Sequence, residues 1–175
     1  MIVPVEDLLE LPEFSGKSEK ALTKKLKAIE FLIRAYTNNN FQNRLVRFSA
    51  KSLGDRCFGS SPFLSVGDTV QISKSGVNDG LYSIVEKTDS FIRLDSKLYD
   101  VDLNLITKIE YPEDVRQGVL ELMIWEVQNR QKVGIKSETI SRHSVTYFDQ
   151  DASNQKMGYP LSLLGFLQPY LKPRF

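Results

Sequence analysis

The stretch from Ile135 to Phe148 constrains this chain more than any other. It follows a dense apolar helical pattern, Glu113 to Lys132, that breaks at Gly134. Its residues alternate as in a strand, with Ile140, Val145 and Tyr147 set among Lys136, Ser137, Glu138, His143 and other polar neighbours. No second strand pattern follows nearby. The next apolar run, Gly158 to Leu171, reads as helix and leads into a basic and aromatic tail ending at Phe175. Backbone N–H and C=O groups need partners. A lone strand between helices is therefore expected to pair far away in the chain, or on another molecule.

Composition removes several classes. With 175 residues, 41% hydrophobic and 26% charged, the chain can bury a core, and wholesale disorder is excluded. Cys57 is the only cysteine, so no intramolecular disulfide can form. No run approaches the roughly 20 apolar residues of a membrane span. The N-terminus lacks the basic region and cleavage site of a secretory leader, so the expected home is a cytoplasm or something assembled there. The formal net charge is +1, but residues 17–56 carry ten Lys/Arg against three acids, a net of +7. Such asymmetry suits a path for DNA, an acidic patch on a neighbouring copy, or a solvated helix face.

The pattern of elements predicts an α+β chain, mainly α, with a helical bundle core. A short helix is expected after Val3, with Pro4 in its first turn and Glu6 and Asp7 near the positive end of the helix dipole. Leu22, Leu26, Ile29, Ile33 and Tyr36 line up one helical stripe between Ser18 and the stop at residues 37–40. Residues 41–58 suggest one short helix. From 63 to 111 the turn signals at Asn78–Gly80 and Thr88–Ser90 separate short alternating runs, which read as a small antiparallel sheet or SH3-like barrel. The expected division is a core of 1–62 and 112–175 carrying an arm at 136–148, with 63–111 as a β-rich insert. The helix after Pro112 is apolar on more than one stripe, so it should pack on at least two sides. A last helix from Tyr159–Pro160 should fail at Pro169.

No chemical site emerges, and the chain reads as a non-enzyme without cofactor or metal. Cys57 is better read as a small buried hydrophobe than as a nucleophile, and His143 as a structural or interface hydrogen-bonding group. Asp100 and Asp102 share a strand face but lack further ligands at a metal spacing. Gly76 and Gly80 are not followed by the Lys-Ser/Thr and helix of a phosphate loop. Tyr82, Phe91 and Tyr99 are candidates for stacking on bases, as aromatic groups on small barrels do. Residues 63–111 hold more acids than bases, however, so core packing accounts for these rings better.

Four stretches carry a resemblance: Val5–Leu9, Ala21–Tyr36, Val115–Gln131, and Lys136–Tyr147 with Tyr159–Pro160 and Leu163–Lys172 downstream. In this order they resemble the phage head–tail connector (adaptor) family, in a version with a β-rich insert; the helical parts cover about two-thirds of the chain. His143 stands where that pattern has an aromatic or small residue. The resemblance implies a structural virion protein at the head–tail interface, present in the host cytoplasm during assembly. Copies, monomeric before assembly, would form a dodecameric ring under the portal. That ring extends the DNA channel and receives a tail-side completion or stopper protein. Candidate subunit or portal contacts are Lys136, Ser137, Glu138, Ile140, His143, Val145, Tyr147, Phe148, Tyr159, Pro160, Leu164, Phe166, Tyr170, Arg174 and Phe175. Lys20, Lys24, Lys27 and Arg34 are candidates for non-specific contact with genomic DNA in the channel. At about 3.3 Å per residue, an extended 136–148 would span roughly 43 Å. The alternative reading is a small nucleic-acid-binding regulatory protein using the basic 17–56 region.

Overall fold

The computed structural model describes residues 1–130, 137–140, 143–146 and 154–174. The chain divides into two compact units, one of Asn40–Tyr111 with Met1 and one of Ile2–Asn39 with Pro112–Phe175.

The first unit is a closed six-stranded antiparallel barrel. Its strands are β1 (Gln42–Leu53), β2 (Arg56–Phe58), β3 (Thr69–Ser73), β4 (Gly80–Lys87), β5 (Phe91–Leu94) and β6 (Val101–Ile109), in the spatial order β1-β2-β5-β4-β3-β6. Pairing of β6 with β1 closes the ring and leaves no free sheet edge. The expected small insert at 63–111 is therefore too short, because β1 and β2 occupy the stretch read as a short helix. Helix makes up about 36% of the chain and strand about 30%, so the expectation of a mainly α helical bundle with a small β addition is overturned.

Why residues 42–58 form strands is visible in their burial. Val46 and Ala50 point into the barrel with Ser52 and Cys57, while Arg47, Ser49, Lys51 and Leu53 face out. The inward row is small or polar at two positions, which mutes its hydrophobic alternation. A bulge between Asn43 and Arg47 then breaks the period and leaves Leu45 95% exposed. The turn Gly54–Asp55, with Gly54 at φ 63, joins β1 to β2 in the left-handed geometry that tight hairpins require.

The barrel core is aliphatic at its centre, around Val70, Ile72, Ile84, Ile92, Leu94 and Ile106. At the end where β1 stops and β6 starts it becomes polar. Asn78, 2% exposed, donates from Nδ2 to the Tyr99 carbonyl (2.9 Å), to Asn104 Oδ1 (3.1 Å) and to Ser52 Oγ (3.3 Å). Its Oδ1 accepts from the Tyr99 N–H at 2.8 Å, and Asn104 Nδ2 donates to the Ala50 carbonyl at 3.1 Å. These buried amides satisfy one another and tie the β3–β4 loop to the β5–β6 loop. The Asn78–Gly80 turn signal thus serves as a plug as well as a turn.

The second unit holds α1 (Val5–Leu9), a 3₁₀ turn at Pro12–Phe14, α2 (Glu19–Thr37), α3 (Glu113–Asn129) and a 3₁₀ helix at Leu161–Tyr170. The stripe Leu22, Leu26, Ile29 and Ile33 is buried, and Asn38 ends α2 in the left-handed region at φ 49. α3 buries Val115, Gly118, Val119, Leu122 and Met123, while Leu120, Ile124 and Val127 are only half-buried. It therefore has one fully covered stripe rather than two. A Cβ on Gly118 would overlap the Phe166 ring, so glycine there sets how closely the last helix approaches α3. The 3₁₀ run accommodates Pro169, where an α-helix was expected to stop.

Candidate assembly surfaces

The alternating segment after α3 does find a local partner. β7 (Ser137–Ile140) pairs antiparallel with β8 (His143–Thr146) as a two-stranded sheet, matching Ser137 with Thr146, Glu138 with Val145, Thr139 with Ser144 and Ile140 with His143. The expectation of a lone strand is corrected: the two halves of the segment pair with each other. Each strand of four residues spans only about 13 Å, against the reach expected of an extended arm. Among the described residues no third strand joins either edge. Lys136, Tyr147 and Phe148 lie outside the described residues, as does Phe175.

The downstream candidates are engaged within their own unit. Tyr159 (2% exposed) and Leu164 (1%) are core residues, Pro160 is buried and Phe166 covers Gly118. The Tyr170 hydroxyl donates to Asp114 at 2.8 Å, and Arg174 donates to the Ala35 carbonyl at 2.7 Å. Lys172 N–H donates to the Thr37 carbonyl and Asn38 Nδ2 to the Pro173 carbonyl, both at 2.8 Å. The basic tail thus covers carbonyls that the last turn of α2 leaves without helical partners, where positive charge is favoured.

The end of α3 carries an electrostatic cluster. Glu126 accepts from Arg130 Nη2 at 2.5 Å and pairs with Lys25. The Arg130 guanidinium lies 5.3 Å from the Trp125 ring centre and 5.2 Å from that of Tyr159, and Nη1 donates to the Gly158 carbonyl at 3.2 Å. Burial works against the charge on Glu126, but the hydrogen bonds from Arg130 and Lys25 outweigh it and hold the carboxyl below its ordinary value. Burial first, then the neighbouring Glu126 charge, pushes the Tyr159 phenol well above its usual range. Arg130 thereby joins the end of α3 to β10 (Tyr159–Pro160), which pairs with β9 (Gln155–Lys156).

The basic stretch is divided between the two units. Lys17, Lys20, Lys24, Lys25, Lys27 and Arg34 belong to the helical unit, whereas Arg44, Arg47, Lys51 and Arg56 belong to the barrel. On the barrel's outer face Lys51, Phe58 and Phe91 form one cross-strand row, and Arg56 lies 4.9 Å from the Phe91 ring centre. Acids accompany this face: Lys51 pairs with Asp102 (2.9 Å), and Arg93 with Glu86 (2.8 Å).

Cys57 is fully buried in the barrel, and burial raises its thiol to about 11, so it stays protonated at neutral pH. The described residues bring together no three His, Cys, Asp or Glu side chains able to hold a metal ion.

One surface escaped the sequence reading. α2 has a second apolar row opposite its buried stripe, with Phe31 72% and Leu32 37% exposed beside Ala28 and Ala35. The recurrence of Lys24, Ala28, Phe31 and Ala35 at helical spacing was the available signal. No family model matches the chain, and no curated protein matches it at a significant level.

Proposed function

We propose that this chain is a structural virion protein of the head–tail connector type, which joins a portal, lines a continuation of the DNA channel and offers a platform to tail-side proteins. The observation that carries this reading is the β7–β8 hairpin, placed between α3 and the segment clamped by Arg130. An isolated two-stranded sheet is marginal in water, and among the described residues no third strand pairs with the outer edge of either strand. Such a hairpin gains most when a neighbouring strand adds to it. The half-buried Leu120, Ile124 and Val127 on α3 offer further apolar surface to a partner. Co-purification with a portal ring tests the reading. Removal of residues 136–148 is expected to abolish portal retention while the Trp125 fluorescence of the folded unit persists. Undiminished retention of the shortened chain would count against the hairpin's role.

A second reading, a small nucleic-acid-binding regulatory protein, is favoured by the row of Lys51, Phe58 and Phe91 with Arg56 beside it. A salt series separates the two readings. Phosphate contact predicts affinity that falls steeply with salt, whereas a flat and weak response removes this alternative.

A further inference from the structure

We propose that residues 154–158 form a strap that opens on its own, pivoting at Tyr159, while the helical unit around it stays folded. Its use rests on the connector reading: the strap is one foot of the chain that carries β7–β8, and opening takes that foot away from α3. β9 and β10 hold two residues each, and the turn between Lys156 and Tyr159 is Met157-Gly158. Both turn residues stand at positive φ, 56° for Met157 and 80° for Gly158. A two-residue hairpin of this kind favours Asn-Gly, because in left-handed backbone a Cβ crowds the following carbonyl oxygen. Met157 is therefore strained while the strap is shut. A residue so placed persists only where its surroundings hold it.

The strap is held at the surface. None of residues 154–158 is buried. Arg130 Nη1 donates to the Gly158 carbonyl at 3.2 Å, the Lys156 ammonium lies 4.9 Å from the Tyr36 ring centre, and the Leu161 N–H donates to the Asn154 carbonyl at 3.0 Å. Beyond Gly158 the chain changes character, for Tyr159 and Pro160 are buried. Segments with little apolar burial open locally, at a fraction of the free energy of global unfolding. Arg130 is the catch. Its Nε and Nη2 donate to Glu126 at 2.9 and 2.5 Å, and its guanidinium lies against the Trp125 and Tyr159 rings. Those contacts do not involve the strap, so Arg130 keeps its place when the strap leaves and can receive Gly158 again.

Hydrogen exchange of the full chain, followed amide by amide at low denaturant, tests this. Opening breaks the Leu161–Asn154 bond. The Leu161 amide should therefore exchange faster than amides at the centre of α2, and its rate should barely respond to denaturant that accelerates theirs. Met157→Asn, which accepts left-handed backbone more readily, should slow Leu161 exchange about fivefold or more. Arg130→Met removes the catch and should speed it. Where circular dichroism shows Arg130→Met unfolded, Met157→Asn decides alone. A Leu161 rate that rises with denaturant in step with the α2 amides overturns the strap, as does a rate that Met157→Asn leaves unchanged. Retention on a portal ring, measured in parallel, separates the two proposals. Independent opening in a chain the portal ignores sinks the connector reading alone. A retained chain whose strap opens only with the core sinks the strap alone.

Discussion

The barrel and the helical unit solve the same backbone problem in opposite ways. In the barrel each strand pairs on both sides, closure removes the edges, and even the polar residues at one end satisfy one another. In the helical unit α2 keeps Phe31 in water, α3 leaves Leu120, Ile124 and Val127 half-covered, and β7–β8 stands as a pair of strands. A unit that has paired everything internally has little left to offer except loops and charges. Surfaces for other molecules are therefore expected mainly on the unit left incomplete.

Two native probes can break this comparison. Trp125, the only tryptophan, reports on the helical unit, and Cys57, the only cysteine, reports on the barrel through its protection from thiol reagents. The largest effect is expected from Asn78→Ala, which leaves the Tyr99 N–H and its buried neighbours without their partner. At about 1–3 kcal/mol for each unsatisfied group, the barrel should lose roughly 3 kcal/mol. Cys57 should become reactive at lower denaturant while the Trp125 transition holds its midpoint. Equal shifts of both probes would mean that the two units unfold as one, and the contrast drawn above would fail.

A smaller effect, with the probes reversed, is expected from Gly118→Ala. The new methyl group must displace the Phe166 ring, at about 1–3 kcal/mol for overpacking, partly offset by alanine's better helix propensity of about 1 kcal/mol. The Trp125 midpoint should fall, and Cys57 protection should not. The smallest effect concerns acid. The Glu126 carboxyl lies below its ordinary value of 4.5 in the folded chain. Its stabilising contribution is therefore complete above that value and fades as pH falls through the lower folded-state value. Trp125-monitored melting of the wild type should drop more steeply below about pH 4.5 than that of Glu126→Gln. Parallel curves would show that the clamp on Tyr159 does not depend on this charge.

Local rules reached some elements and not others. The stripe from Leu22 to Ile33 and the Pro112-Glu113-Asp114 start of α3 were readable because each sits within a few turns of helix. The turns at Asn78–Gly80 and Thr88–Ser90 were readable for the same reason. β1 was not, because Ser52 faces inward to meet Asn78 and Asn104, residues 26 and 52 positions away. A polar residue becomes a proper barrel residue only when its distant partners arrive. Pairing of β7 with β8 was missed for a different reason. Ile140 and Val145 lie an odd number of positions apart, and this break in the period of two, the available sign of two strands, was read as one alternating run.

For the candidate surfaces the outcome is divided. The sequence picked out 136–148 as an unusual segment and Lys20 and Lys24 as part of a basic face. It also offered Tyr159 and Leu164 as contacts, although these are buried among the residues of their own unit. Apolar character alone does not say whether a side chain meets its own core or a partner.

By itself, then, the sequence determined α1, α2 and α3, the buried stripe of α2, the tight turns and the uneven charge, since all of these are set by neighbours within a few residues. Only the tertiary structure decided that residues 42–58 belong to a closed barrel and that the basic stretch is shared between two units. It alone left Phe31 exposed while Tyr159 is buried. Strand pairing and burial are contacts between residues far apart in the chain, and no local pattern records which of them will meet.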